Sequence, residues 1–468
     1  MKSCRFLLAL ASLMMLSCAR HPANIPIIDK AISDENSAFY GNFSSYPKSL
    51  AGLPIGVFDS GTGGLTVLER ILTLDTVNNL NGTNESDGIP DFVEEKFVYL
   101  ADQANMPYGQ YDARGKADYL RELAVKDALF LMNAPVKIIV IACNTATAYG
   151  LRDVNSLLSQ SGTGVKVIGV INAGVKATLD YLGKDSGECA IGVLATPGTI
   201  SSGAYERTIN AEAGARGLNV RVVSQSGYGF AESVDSEPGY VFPAAIAPRN
   251  EYMGPRFGEE DADIKRNLLP AYNFESDGIL SRLSSDGVIE DLQLNTAANY
   301  ARFNLVSLIE KHRLSGSSVP MKAIILGCTH YPFLLETLRI TLGELREMVD
   351  ADGSYPYRDL IAEDLVFIDP AVYTAEECYR TLQEDGNLAP KGTAREVAAY
   401  ISVPAPGLPA EVLNPDGSLT YDFKYGREPG TEDITTVQEP FSRTNVSENN
   451  LARLQKLVPV SYSLISLE

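Results

Sequence analysis

Two apolar strands that both end in a small residue and a cysteine restrict this chain more than any other feature. Val136-Lys137-Ile138-Ile139-Val140-Ile141 runs into Ala142-Cys143-Asn144-Thr145, and Met321-Lys322-Ala323-Ile324-Ile325-Leu326 runs into Gly327-Cys328-Thr329-His330. Each run has the length and β-branched content of a buried strand. In open α/β sheets ligands bind at the carboxyl edge of the strands, where these cysteines fall. Two strand ends with one layout suggest two related half-sites facing one substrate.

The rest of the chain alternates in the same way. Strands are expected at Leu53–Phe58, Phe97–Leu100, Val165–Ile171, Ala190–Ala195, Leu218–Val223 and Leu365–Pro370, with helical stretches between them. That alternation means parallel sheets covered by helices. Leu53–Phe58 leads into Asp59-Ser60-Gly61-Thr62-Gly63-Gly64, a layout that can hold an anion on backbone N–H groups, or simply form a tight buried turn.

Composition narrows the function. A formal net charge of −20 over 468 residues leaves no basic surface for phosphates and argues against nucleic acid. The three histidines, His21, His312 and His330, are too scattered for a multi-histidine zinc site. At the N-terminus, Lys2 and Arg5 precede an apolar stretch ending at Ser17-Cys18-Ala19. This reads as a lipoprotein signal peptide over 1–18 with Cys18 the lipidated residue. The mature protein is then expected outside the cytoplasm, tethered by acyl chains to a bacterial membrane, periplasmic or surface-facing, with 19–52 as a polar tether. An ordinary secretory signal or a short buried helix is the alternative. Cys143, Cys189, Cys328 and Cys378 remain, free or in two disulfides; Cys189 and Cys378 read as core.

Between 75 and 95 an acidic loop interrupts the pattern. Thr83, Glu85, Asp87, Asp91 and Glu94 fall at the oxygen positions of an EF-hand-type calcium loop, with Gly88 at the turn. The plainer reading is a solvated acidic turn; any metal here would be structural. A second interruption, 228–291, is rich in Pro, Gly, Tyr and acids and lacks a clear period. The tail, 385–468, is expected to be a β-rich extension, with strands at Tyr400–Pro404 and Leu419–Phe423.

A pair of cysteines on facing half-sites suits proton transfer at carbon. One thiolate removes a proton from one face of a stereocentre and the other thiol returns one to the opposite face. Neighbouring groups must set which thiol is charged; Asp59, at a strand end, and His330, two residues from Cys328, are the natural candidates.

Here the chain resembles the glutamate racemases of the cofactor-independent aspartate/glutamate racemase superfamily. The resemblance is carried by Gly56-Val57-Phe58-Asp59-Ser60-Gly61-Thr62-Gly63-Gly64-Leu65, Pro107-Tyr108-Gly109, Cys143-Asn144-Thr145-Ala146-Thr147-Ala148, Ala195-Thr196-Pro197-Gly198-Thr199 and Gly327-Cys328-Thr329-His330-Tyr331-Pro332, in family order across about 53–384. It implies two pseudo-symmetric α/β domains with parallel-sheet cores: one from 53–170 and 331–384, the other from 171–330. It implies cofactor-independent racemisation of L- and D-glutamate for cell-wall peptidoglycan. Cys143 and Cys328 would be the acid/base thiols, assisted by Asp59 and His330. Ser60, Pro107, Tyr108, Gly109, Asn144, Thr145, Thr199 and Thr329 would hold the amino acid, and a homodimer is implied.

Two departures stand out. The family's Cys-Pro segment and acid after the strand ending near Val223 are replaced by Gln225-Ser226-Gly227-Tyr228-Gly229-Phe230-Ala231-Glu232 and the insertion, leaving Glu232 and Asp235 as candidate acids. Export is the other, because familiar members work in the cytoplasm. Two competing readings are an exported amino-acid or peptide binding lipoprotein that uses the same cleft without turnover, and a structural lipoprotein with a derelict racemase core.

Overall fold

The computed structural model describes residues 25–183, 187–431, 434–465 and 467; Cys18 and the signal stretch lie outside them. Twelve strands are described: β1 (Ile55–Asp59), β2 (Lys96–Ala101), β3 (Ile138–Ile141), β4 (Lys166–Gly169), β5 (Cys189–Ala195), β6 (Val220–Ser226), β7 (Ile279–Leu283), β8 (Ile289–Leu294), β9 (Met321–Gly327), β10 (Ile361–Ile368), β11 (Glu396–Pro404) and β12 (Thr436–Pro440). They form two α/β units. The first sheet runs β12-β11-β2-β1-β3-β4 and the second β10-β9-β5-β6, while β7 and β8 make a separate hairpin. Within the two sheets only the β11–β12 pair is antiparallel. Strands buried on both faces read as continuous apolar runs rather than alternations. That is why β1, β3 and β5 are buried at every position.

Three boundaries differ from the expected ones. Part of the expected tether is folded: Ile27, Ile28 and Ala31 of the helix Pro26–Ser33 are buried in the core beneath the first sheet. The segment 331–384 is divided. β10 lies parallel to β9, with Phe367 opposite Ile324, so it completes the second sheet. Only the helix Pro370–Glu384 returns, burying Ala371, Ala375, Cys378 and Leu382 in the first core.

The edge of the first sheet is taken instead by the tail. β11 pairs parallel with β2, Val397 opposite Phe97, so 385–468 is built into the fold rather than appended to it. Nor is the tail β-rich throughout. The strand expected at Leu419–Phe423 is the start of a helix, Tyr421–Gly426, and the helices Glu448–Leu457 and Pro459–Leu464 follow β12. Tyr421 and Tyr425 sit one helical turn apart and their rings meet at 4.7 Å, a contact a strand would not offer.

Candidate active site

The carboxyl ends of β1, β3, β5 and β9 converge on one cavity. Asp59 closes β1, Cys143 stands two residues past β3, Thr196 follows β5 and Cys328 follows β9; all four line it. Sterics explain the small residues at these ends. A Cβ on Gly327 would lie 2.7 Å from the Ala195 Cβ of the neighbouring strand. Across the cleft, a Cβ on Gly198 would stand 2.6 Å from Gly109 Cα, so the two halves touch backbone to backbone there.

The first thiol is built into a helix start. Cys143 is the N-cap of the helix Asn144–Ser161, and its sulfur accepts a hydrogen bond from Ala146 N at 3.4 Å. The thiol donates towards Ser60 Oγ at 3.5 Å. Burial pushes the thiol well up, and the nearby Asp59 carboxyl pushes it further. Asp59 is raised by its own burial. His330, Cys143 and the backbone N–H of Gly64, the last at 2.7 Å, pull it partly back. The glycine loop therefore does hold an acidic group on a backbone N–H, and that group is the chain's own Asp59 carboxyl.

The second thiol has a different neighbour. Cys328 Sγ lies 3.5 Å from His330 Nδ1, and His330 Nε2 lies 3.1 Å from Asp235 Oδ1. Burial works against a charged imidazole, but Asp235 and then Cys328 outweigh it, so His330 is held well above its ordinary range. Asp235 is correspondingly lowered: its burial is overcome by His330 and by Arg453. Of the two candidate acids, Asp235 is the one that meets His330.

No family model matches the chain. Proteins named glutamate racemase are its relatives. The one from Aquifex pyrophilus is 29% identical over 299 residues, 64% of this chain and 79% of that protein. The one from Thermus thermophilus is 27% identical over 343 residues, 73% and 84%. The solved glutamate racemase of Francisella tularensis in complex with D-glutamate overlaps 82% of this chain and 99% of that one, with 21% identity and a TM-score of 0.46.

The chain is a homologue of the glutamate racemases. These relatives are named for an isomerase activity, the racemisation of an amino acid. Of the residues the racemase resemblance nominates, Ser60, Pro107, Tyr108, Gly109, Asn144, Thr145 and Thr329 line the cavity with both thiols, Asp59 and His330. Thr199 does not. It is fully buried behind the wall, 3.1 Å from Thr145 Oγ1 and 3.0 Å from Thr196 Oγ1, and it is Thr196 that faces the cavity. Asn144 is oriented by Tyr205, whose hydroxyl donates to its carbonyl at 2.7 Å.

The Tyr108 hydroxyl is committed elsewhere. It sits 2.5 Å from Asp102 Oδ2 and 2.8 Å from Asp127 Oδ2. A phenol has one proton to give, so one of the two acids must carry its own. Asp127 is the acid that does so, raised far above its usual range by burial and then by Asp102. What Tyr108 offers a substrate is its ring and backbone.

Sequence reasoning missed Glu237, which lines the cavity with Glu232 and Asp235. All three lie on or just after the helix Phe230–Val234, at the start of the aperiodic segment. Burial and then the charges of Glu232 and Asp235 push Glu237 up to about 7. A short helix with glycine and proline on either side has too little period to announce itself.

The calcium loop does not assemble. Asp91 Oδ2 accepts from Thr76 N and Oγ1 at 2.9 Å, and its Oδ1 from Val77 N at 3.1 Å. Asp87 accepts from Asn79 N and Ile89 N, Glu94 from Gly392 N, and Thr83 Oγ1 donates to Asn81. These oxygens tie down separate strands of chain instead of converging. Among the described residues no group of three His, Cys, Asp or Glu could hold a metal ion. The four described cysteines are all free and buried, which removes the disulfide reading for them.

Proposed function

We propose that the chain interconverts the enantiomers of glutamate by a two-base mechanism in which Cys143 and Cys328 work on opposite faces of Cα. The observation that supports this most is that one cavity holds two thiols, each with its own acid–base partner. The thiolate of one cysteine takes the α-proton. The thiol of the other delivers its proton to the opposite face, and the two cysteines finish with exchanged protonation. Asp59 and the Asp235–His330 pair restore the starting state by proton exchange.

Among the described residues no Lys or Arg lines the cavity, so carboxylates are met there by other donors. The start of the helix Asn144–Ser161 presents backbone N–H groups and positive dipole beside Cys143. Ser60, Thr145, Thr196 and Thr329 add hydroxyls. These donors favour the substrate carboxylate and the negative charge that builds on it as the α-proton leaves.

Reduced mature protein incubated with L-glutamate in D₂O should exchange the α-proton and accumulate D-glutamate by NMR and chiral chromatography. No exchange with glutamate, aspartate or a panel of other amino acids would sink the proposal and favour binding without turnover.

The N-terminal stretch supports export and lipid attachment at Cys18, which would place this activity on an extracytoplasmic pool of amino acid. Palmitate labelling lost in Cys18→Ser, with fractionation into the membrane, is the result expected. Recovery of unlabelled protein from the cytoplasm would remove the idea.

A further inference from the structure

The tail reaches the second half-site. On the helix Glu448–Leu457, the Arg453 guanidinium pairs through Nη1 with Asp235 Oδ1, the same oxygen that lies 3.1 Å from His330 Nε2. Its Nη2 lies 3.5 Å from Thr62 Oγ1 in the glycine loop. The side chains of Arg453, Asp235 and His330 are only 17%, 15% and 12% exposed, so this is no surface ion pair that solvent would weaken. Breaking a partly buried pair strands its partner's charge.

The helix is anchored well enough to aim the guanidinium. Leu451 and Leu454 are buried in the first core. The next turn is clamped to Glu69, whose carboxylate accepts from Val460 N at 3.1 Å and from Ser461 N and Oγ at 2.7 Å. Glu69 lies on the helix Leu65–Thr73, which springs from the glycine loop. Arg453 thus belongs to the first half of the molecule and touches an acid of the second.

We infer that Arg453 is a positioning residue of the second half-site, sharing Asp235 Oδ1 with His330 and thereby fixing how the Asp235–His330 pair is presented to Cys328. For catalysis this rests on the racemase reading; the arrangement itself does not. The titratable groups that face the pair are Cys328, Asp59, Glu232 and Glu237, and Arg453 is the permanent cation among them.

Three variants of the full chain test it: Arg453→Gln, Arg453→Lys, and Lys456→Gln as a control that removes an exposed cation from the same helix. The ¹⁵N shifts of the His330 ring, assigned by their loss in His330→Gln, report its protonation and hydrogen bonding without needing turnover. They should move in Arg453→Gln, return in Arg453→Lys and stay put in Lys456→Gln. In turnover, Arg453→Gln should lower kcat about tenfold with KM within about threefold, Arg453→Lys should recover most of it, and the loss should shrink below about twofold in an Asp235→Asn background. Without the cation, Asp235 and His330 keep their protons to higher pH, so the alkaline limb of kcat/KM moves up. An unmoved His330 ring in folded Arg453→Gln overturns the inference, as does an equal loss with and without Asp235. A moved ring in a chain that racemises nothing would sink the racemase reading and leave this one standing.

Discussion

The two half-sites hold the same nucleophile in opposite electrostatic settings. Cys143 shares its pocket with a buried carboxyl, Asp59, and burial favours the proton-bearing form of both. Cys328 sits beside an imidazole that Asp235 keeps charged. One side is therefore biased towards its proton-bearing form, the other towards an ion pair. A pair of thiols that must exchange roles needs different proton reservoirs, because two identical ones would leave nothing to decide which sulfur starts as thiolate. The reservoirs also differ in origin. Asp59 comes from a strand end of the first sheet, whereas Asp235 comes from the aperiodic segment after β6.

Removing the thiols breaks the comparison most severely. Cys143→Ala and Cys328→Ala should each cut racemisation by about 10²–10⁴-fold or more, the range general acid–base groups supply. Residual α-proton exchange in D₂O should be confined to one enantiomer in each variant, and to opposite enantiomers in the two. Exchange of the same enantiomer in both would mean that the sulfurs do not address opposite faces.

The partner groups come next. Asp59→Asn and His330→Asn should each slow turnover by about 10²-fold. Equilibrium pins the ratio of kcat/KM in the two directions, so the difference must be sought in exchange. Asp59→Asn should hinder exchange of the enantiomer handled by Cys143, and His330→Asn the other. Identical exchange patterns would show that one reservoir serves both thiols.

Much of this was legible in the sequence because it lies on short, local motifs. Cys143, Cys328, Asp59 and His330 all sit at or just past strand ends, and apolar runs mark such ends plainly. The partners supplied by distant chain were not legible. Asp235 could be nominated only alongside Glu232, Glu237 lay in a stretch without period, and Arg453 is one arginine in an ordinary amphipathic helix. What brings Arg453 to the site is the pairing of β11 with β2, and nothing in the local pattern of 385–468 encodes which strand it will meet. The calcium loop failed for the converse reason: correct spacing does not make carboxylates converge when backbone N–H groups nearby compete for them.

Sharing is sharper still in the glycine loop, which gives clearance to both reservoirs at once. A Cβ on Gly64 would stand 2.3 Å from Asp59 Cβ, and one on Gly63 would stand 2.6 Å from His330 Cε1 and 2.9 Å from Thr329 Oγ1. Overpacking of this kind costs about 1–3 kcal/mol. Gly64→Ala pushes on the carboxyl of a buried strand end, and Gly63→Ala on the ring of the ion pair. Each should lower kcat roughly tenfold with the chain still folded, the first through Cys143 and the second through Cys328, on the exchange assay above. Equal damage to both enantiomers from either variant would mean that the loop moves as one piece.

Glu237 should give the smallest effect and the one most dependent on pH. Its carboxyl is pushed up to about 7 by burial and by the charges of Glu232 and Asp235, and it lines the cavity that must admit an anion. Below that value it is mostly neutral; above it, one more negative charge faces the substrate. KM for glutamate should therefore rise a few-fold between about pH 6 and 8, with kcat much less affected, since the repulsion acts on entry and not on the transferred proton. Glu237→Gln should hold KM at its low-pH value throughout. A KM that climbs just as steeply in Glu237→Gln would shift the dependence to Glu232, which burial raises and which lines the same wall. That outcome would extend the contrast between the half-sites, because Glu232 belongs to the helix that ends beside Asp235, the acid of the second half-site.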